Sequence, residues 1–201
     1  MKATLITLAL AFVFGVDSVV AAPEIGKPAP AFTGQSTAGE SVSLDRFAGK
    51  TVVLEWTNHG CPFVQKHYDT GNMQMVQRTA RQEHDVVWLT IVSSAPGKQG
   101  HVTPQEADAL TQDYGAVISA KILDPEGTIG RAYDAKTTPQ MAVIDGEGVL
   151  RYHGAIDDKP SARHSTVESA ENYLLAALDA MASGKTPDPA RTRPYGCSVK
   201  Y

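Results

Sequence analysis

Cysteine is scarce in this sequence of 201 residues, which contains only Cys61 and Cys197. Two cysteines are too few for a disulfide-rich scaffold or for a four-thiolate zinc site. An excess of basic residues is also lacking, because 18 Lys and Arg stand against 22 Asp and Glu. A negative net charge without a basic run excludes the usual electrostatic signature of a nucleic-acid-binding protein, so we expect no nucleic-acid partner.

Long apolar runs are lacking beyond the N-terminus, where no stretch approaches the roughly 20 residues that a membrane-spanning helix needs. The N-terminus has a basic Lys2, a mostly apolar stretch at 5–16 and small residues at Ala21 and Ala22. These features predict a cleaved signal peptide at residues 1–21. A retained anchor helix is the alternative, which Asp17 and the short apolar run disfavour. We expect a periplasmic or secreted protein without stable membrane insertion, in which two cysteines can pair.

The hydrophobic patterns predict alternating strands and helices, followed by a hairpin and a last helix. Strands are predicted at 51–57, 86–92, 122–123, 141–144 and 149–153, and helices at 62–82, 104–114, 128–133 and 166–183. Gly71 is expected to kink or split the helix that opens at Pro62. Thr103 and Glu106 form a capping box, and Ser165 is expected to cap the last helix. This order favours an α/β fold, with a central mixed sheet and helices on both faces.

Three motifs support a resemblance to a known family. They are IGKPAPAF at 25–32, the strand-to-helix junction at Cys61–Pro62, and Thr137-Thr138-Pro139-Gln140 directly before the hairpin. Together with the element order they resemble the thioredoxin-like fold. More narrowly, they resemble the exported redoxins related to alkyl hydroperoxide reductases and thiol-specific antioxidants. The resemblance implies a redoxin domain at 22–184, followed by a tail at 185–201 that carries Cys197.

Cys61 is the candidate nucleophile. A thiol at the start of a helix faces backbone N–H groups and positive partial charge, which lower its pKa. The resemblance implies that Cys61 is the attacking cysteine, and we expect alkylation at Cys61 before Cys197. A second cysteine three residues later is missing, because Val64 stands there. Cys61 must therefore react with an oxidant, with the thiol of a partner, or with Cys197.

Glu55, Thr138 and Pro139 are the other candidates of the core domain. The resemblance implies that Glu55 is a buried acid that moves protons; the alternative is an exposed charge on the strand. It also implies a cis Thr138–Pro139 bond beside Cys61, where the backbone of Thr138 pairs with an extended substrate. A trans proline at the start of an edge strand is the alternative. Pro62, Thr138 and Pro139 are thus the expected substrate-binding residues.

Cys197 leaves three possibilities open, namely a resolving thiol, one end of a structural bridge, or a free thiol. We expect an exported thiol-dependent oxidoreductase that uses Cys61 and is resolved by Cys197. Its expected substrates are peroxides or protein thiols and disulfides, with an external thiol as reductant and no cofactor or metal. The alternative is a non-enzymatic thioredoxin-like module, which binds partners and contains a structural Cys61–Cys197 disulfide.

Two replacements bear on the peroxide chemistry. The resemblance places Asn58 where peroxiredoxins have a threonine and Pro139 where they have an arginine, so we expect weak peroxidase activity. A copper site formed by His59, Cys61 and His67 is a weaker hypothesis, because a second nearby thiolate is missing.

Overall fold

The structure, a computed structural model, describes residues 22–201. The expected signal peptide at 1–21 lies outside the described residues. Within residues 22–201, no helix combines the length and the apolar character that are required to cross a lipid bilayer.

The described chain forms nine strands and five α-helices. The strands are β1 (Thr33–Ser36), β2 (Ser41–Ser43), β3 (Val52–Trp56), β4 (Val87–Val92), β5 (Ala120–Leu123), β6 (Thr137–Thr138), β7 (Gln140–Ile144), β8 (Leu150–Gly154) and β9 (Cys197–Ser198). The helices are α1 (Pro62–Asp69), α2 (Asn72–Glu83), α3 (Pro104–Asp113), α4 (Thr128–Ala132) and α5 (Tyr173–Ala182).

Seven strands form a mixed sheet in the order β2-β1-β5-β4-β3-β7-β8. Strand β3 pairs in parallel with β4 and antiparallel with β7, and β7 and β8 form the predicted hairpin. This arrangement confirms the thioredoxin-like fold. The remaining two strands, β6 and β9, form a separate short ladder.

Alternate residues of β3 enter two different cores, because side chains of a strand point to opposite faces of the sheet. Val53 packs in the core that includes apolar residues of α1, α2 and α5. Leu54 packs on the other face, where Ile129 of α4 and Phe32 of the N-terminal arm are buried. Helices therefore cover both faces of the sheet and pack against β3.

Two local predictions are confirmed. Gly71 adopts a left-handed conformation with φ of 74° between α1 and α2, so the predicted helix is split there. Glycine suits this position because it lacks the Cβ that makes positive φ unfavourable. Thr103 and Glu106 form the predicted capping box at the start of α3.

The prediction for the last helix is wrong at its start. Ser165 lies in a short 3-10 turn, and α5 begins only at Tyr173, with the side chain of Asn172 as its cap. The backbone before α5 makes other hydrogen bonds instead. Glu171 donates its N–H to Asp158 Oδ1 at 2.8 Å, and Tyr173 donates to the carbonyl oxygen of Ile156 at 3.0 Å. Pairing with the loop after β8 therefore replaces the expected first turns of the helix.

Candidate functional site

Cys61 lies at the end of the loop that connects the central strand β3 to α1. It is the N-cap residue of α1, and Pro62 occupies the first turn, where its missing N–H costs no helical hydrogen bond. The side chain of Cys61 is fully buried. Its Sγ donates to the carbonyl oxygen of Thr138 at 3.2 Å. The loop before the hairpin is thus in direct contact with the thiol.

The Thr138–Pro139 peptide bond is cis, as predicted, and the trans alternative is wrong. Thr138 belongs to β6, which pairs antiparallel with β9 so that Cys197 lies directly opposite Thr138. The resemblance predicts a substrate strand in this place. In the structure the chain's own C-terminal tail occupies it.

The two cysteines are free thiols that contact each other. Burial by itself raises the pKa of Cys61, but hydrogen bonds from the side chain and backbone of Cys197 outweigh it, so the pKa is lowered. Burial and the hydrogen bond to Cys61 raise the pKa of Cys197 to about 11. The pair is therefore polarised: Cys61 is the thiolate former and Cys197 the hydrogen-bond donor.

The burial of Cys61 limits the access of reagents, although its lowered pKa favours reaction. Its side chain has no solvent exposure, whereas that of Cys197 is half-buried. Alkylation needs both a thiolate and a path for the reagent. The expected order of alkylation thus remains a prediction that requires the tail to open.

Glu55 is fully buried on β3, so the exposed alternative is wrong. Its Oε1 accepts from the hydroxyl of Tyr68 at 2.8 Å, and its Oε2 accepts from Trp88 Nε1 at 2.8 Å and from Gln77 Nε2 at 3.2 Å. Burial raises the pKa of Glu55 even though these hydrogen bonds oppose the shift. The carboxyl group is consequently suited to hold a proton inside the domain.

A small cavity lies between the Glu55 cluster and the loop before Cys61. Tyr68 and Thr90, which both hydrogen-bond Glu55, line it together with Asn58 and His59. Its space of about 20 Å³ is enough for one water molecule. Among the described residues, Glu55 makes no direct hydrogen bond to Cys61, so a proton passing between them would need such an intermediary.

Replacing Glu55 with glutamine is expected to change the pH dependence of stability. A raised folded-state pKa means that the native state binds the proton more tightly than the unfolded chain. This contribution is fully present below the ordinary value near 4.5 and is lost as the pH rises through the folded pKa. The stability of Glu55→Gln relative to wild type should therefore increase as the pH rises above the ordinary carboxyl value near 4.5.

Denaturant unfolding at several pH values measures this difference. Glu83→Gln, on the exposed surface of α2, is the matched control for the loss of one carboxyl group. A difference between Glu55→Gln and wild type that does not change with pH would contradict the burial argument.

A second polar cluster was not found by sequence reasoning. It consists of Lys66, His67, Asp157 and Tyr195, and it is called the tail clamp below. Lys66 Nζ lies 3.5 Å from Asp157 Oδ2, and the hydroxyl of Tyr195 donates to Asp157 Oδ1. Lys66 and His67 were visible as adjacent polar residues of a predicted helix, but no local pattern shows that residues 157 and 195 meet them.

The copper hypothesis fails on geometry. His67 Nδ1 accepts from Asn72, and its Nε2 faces Tyr195 in the tail clamp. No group of three or more His, Cys, Asp or Glu within residues 22–201 is arranged to hold a metal ion. His59, Cys61 and His67 thus do not form a common site.

Asn58, which the resemblance aligns with the peroxiredoxin threonine, makes its hydrogen bonds within the loops around the site. Its Oδ1 accepts from the N–H of Gly60 at 2.9 Å, and its Nδ2 donates to the carbonyl oxygen of Gln99 at 3.1 Å. The amide therefore braces the approach to Cys61.

Comparison with solved structures shows the same fold in several bacterial proteins. An uncharacterized conserved protein of Geobacillus kaustophilus is 24% identical with a TM-score of 0.74, covering 89% of this chain and 92% of its own. A hypothetical protein of Sinorhizobium meliloti is 22% identical with a TM-score of 0.73, covering 90% and 96%. A putative protein disulfide isomerase of Bacteroides thetaiotaomicron is 20% identical with a TM-score of 0.56, covering 81% and 95%.

Comparison with curated proteins gave no match. The family model for Redoxin matches residues 24–174, which include β1 to β8, Cys61 and the cis proline. That match supports a thiol oxidoreductase-like function. Because it spans well over half of the sequence, this chain belongs to the redoxin family.

Proposed function

We propose that the protein is an exported thiol-dependent oxidoreductase, in which Cys61 is the nucleophile and Cys197 the resolving thiol. The observation that carries the proposal is the contact between the two thiols. Cys197 lies opposite Thr138 and hydrogen-bonds Cys61, whose pKa is lowered. Thiolate character and proximity are the two conditions for fast thiol–disulfide exchange.

The reaction proceeds in two balanced steps. The thiolate of Cys61 attacks one sulfur of an external disulfide, forms a mixed disulfide and releases the other sulfur as a thiolate. Cys197 then loses its proton and attacks Cys61, which forms the Cys61–Cys197 bond and releases the second external thiol. The protein is oxidised by two electrons and the external disulfide is reduced to two thiols. An external thiol reductant reverses both steps.

The neighbouring residues have distinct roles in this scheme. Pro62 leaves the first turn of α1 open towards the sulfur. Thr138 and Pro139 form a backbone edge that β9 occupies in the structure, and a substrate strand binds there once β9 has moved away. Glu55 holds a proton and exchanges it with the reacting thiols through the small cavity. These roles are supported by the position of Cys61 at the N-terminus of α1 and by the raised pKa of Glu55.

The setting follows from the sequence. We assign residues 1–21 to a signal peptide, 22–184 to the redoxin domain and 185–201 to a functional tail, in a protein that works in the periplasm or outside the cell. Protein thiols and disulfides are the expected substrates, because the edge at Thr138 pairs with extended chain.

A non-enzymatic module with a structural Cys61–Cys197 bridge is the second candidate. The complete burial of Cys61 favours it, since a buried bridge resists reduction. The two functions differ in whether mild thiols open the bridge.

Reaction with oxidised glutathione tests the proposal. Reduced wild-type protein should lose both thiols and yield a Cys61–Cys197 disulfide in peptide mass maps. Cys197→Ser should instead accumulate glutathione on Cys61, because the resolving thiol is missing. Cys61→Ser is the matched control and should react more slowly than Cys197→Ser, since burial still raises the pKa of Cys197 when Cys61 is absent. Equal glutathionylation of the two serine variants would reject Cys61 as the nucleophile.

A further inference from the structure

The tail clamp anchors the C-terminal tail two residues before Cys197. The hydroxyl of Tyr195 donates to Asp157 and lies 3.3 Å from Lys66 Nζ and 3.4 Å from His67 Nε2. The side chains of Lys66 and His67 are fully buried, and Asp157 is 2% exposed. Three buried polar groups of the domain thus converge on one hydroxyl group of the tail.

The charges of the tail clamp favour a closed tail. A buried ion pair is stable only when hydrogen bonds satisfy its remaining polar atoms. Lys66 is paired with Asp157, and Tyr195 supplies a hydrogen bond to that carboxylate. Burial, followed by the charge of Lys66, lowers the pKa of His67 to about 3, so His67 adds no second positive charge. If Tyr195 moved away, the buried Lys66–Asp157 pair would lose the hydrogen bond that the Tyr195 hydroxyl donates to Asp157.

The tail clamp and the reactive thiol share one helix. Cys61 caps α1, and Phe63 of α1 has its ring 5.9 Å from that of Tyr195. Lys66 of the same helix lies 5.3 Å from the centre of the Tyr195 ring. Fixing Tyr195 against α1 therefore also fixes the start of β9, which covers Cys61.

Gly196 lets the tail approach the site closely. It has a positive φ of 135°, and a Cβ placed there would lie 1.9 Å from the carbonyl oxygen of Thr138. The same oxygen accepts the hydrogen bond from Cys61. Only a residue without a side chain can connect Tyr195 to Cys197 along this path.

We propose that Tyr195 is a positioning residue, which the tail clamp holds so that Cys197 is placed against Cys61 and solvent is kept from Cys61. A cleft of about 530 Å³ borders Tyr195 and Gly196, so the tail has open space beside it when it moves. The effect on disulfide formation rests on the proposed function, whereas the effect on access to Cys61 does not.

Tyr195→Phe tests the proposal by removing one hydroxyl group. Hydrogen bonds to charged groups are worth enough to shift a local opening equilibrium by about 10-fold or more. Iodoacetamide labelling of Cys61 in the folded reduced protein should accelerate by about that factor. Tyr114→Phe is the matched control, because no hydrogen bond of the Tyr114 hydroxyl is present among the described residues, and it should label like wild type.

A second variant, Gly196→Ala, disturbs the position of the tail backbone instead of a side-chain hydrogen bond. Gly196→Ala should also accelerate labelling, because its methyl group displaces β9 from β6. Gly184→Ala is the control, since Gly184 has a positive φ of 69° but open space around its Cα. Denaturant unfolding of every variant separates local opening from loss of the whole fold.

The outcomes are distinguishable. The proposal is supported if Tyr195→Phe and Gly196→Ala both expose Cys61 beyond what their global stability accounts for. For Tyr195→Phe, the equilibrium constant for forming the Cys61–Cys197 disulfide from oxidised glutathione should also fall about 10-fold. Wild-type labelling rates in both variants, or acceleration explained by global unfolding, would overturn it. If no reversible disulfide forms in wild type, the proposed function fails while the labelling result still decides the positioning role.

Discussion

The Cys61→Ser variant is expected to lose all catalysed thiol–disulfide exchange, so that reduction of a protein disulfide by an external thiol falls to the uncatalysed rate. The serine hydroxyl does not form an anion near neutral pH, and it cannot form a mixed disulfide. The second cysteine does not compensate, because burial still raises the pKa of Cys197 when Cys61 is absent and Cys197 lies outside the N-cap position of α1. The measurement is the turnover rate with wild type and variant at equal concentration.

Cys197→Ser is the matched control for this effect. It retains the nucleophile Cys61 but lacks the thiol that attacks the mixed disulfide from within the protein. Turnover should therefore fall only in part, and it should depend more steeply on the concentration of the external thiol. Because the serine hydroxyl and the unchanged backbone N–H can still donate to Cys61, the pKa of Cys61 should stay lowered, and the variant isolates the loss of the resolving thiol. Full activity of Cys61→Ser would show that the chemistry lies elsewhere.

Slow reaction with hydrogen peroxide is the second large effect. Peroxide reduction needs donors aimed at the breaking O–O bond, and loss of one such donor commonly costs about 100-fold or more in rate. Asn58 uses its amide in the loop, and Pro139 has no side-chain donor. Without either donor, the rate should therefore be at least about 100-fold lower than in a peroxiredoxin with both.

Stopped-flow oxidation of reduced protein measures this rate, with the Cys61→Ser variant as the baseline. The Tyr195→Phe variant should raise the rate only as far as it raises access to Cys61. Rapid second-order oxidation of wild type would contradict the account of Asn58 and Pro139.

The sequence predicts the core of the fold because its signals are local. The runs that form β3 and β4 are apolar over a strand's length, and the hairpin β7–β8 surrounds a turn with two glycines, Asp145-Gly146-Glu147-Gly148. The position of Cys61 follows from the same local signals. Strand β9 has only two residues, and it forms by pairing with β6 far away in the sequence. A contact of that kind leaves no local pattern.

Glu55 shows a different limit. Both faces of β3 are buried, so its apolar residues do not alternate with polar ones, and the pattern cannot show where a carboxyl group points. Neighbouring strands form the surroundings of Glu55: Thr90 of β4 is its partner in the sheet, and Lys121 of β5 is the partner of Thr90. The late start of α5 is likewise a tertiary effect, because the segment before it bonds to the loop after β8.

Thiol counting on wild-type protein equilibrated in a series of glutathione redox buffers tests the central claim most directly. Cys61 and Cys197 should be lost and regained together in one reversible two-electron transition, and peptide mapping should find them joined to each other. Two thiols that stay free at the most oxidising poise would contradict a redox pair. A bridge that persists at the most reducing poise would contradict it equally, and would leave the structural disulfide as the function of Cys197.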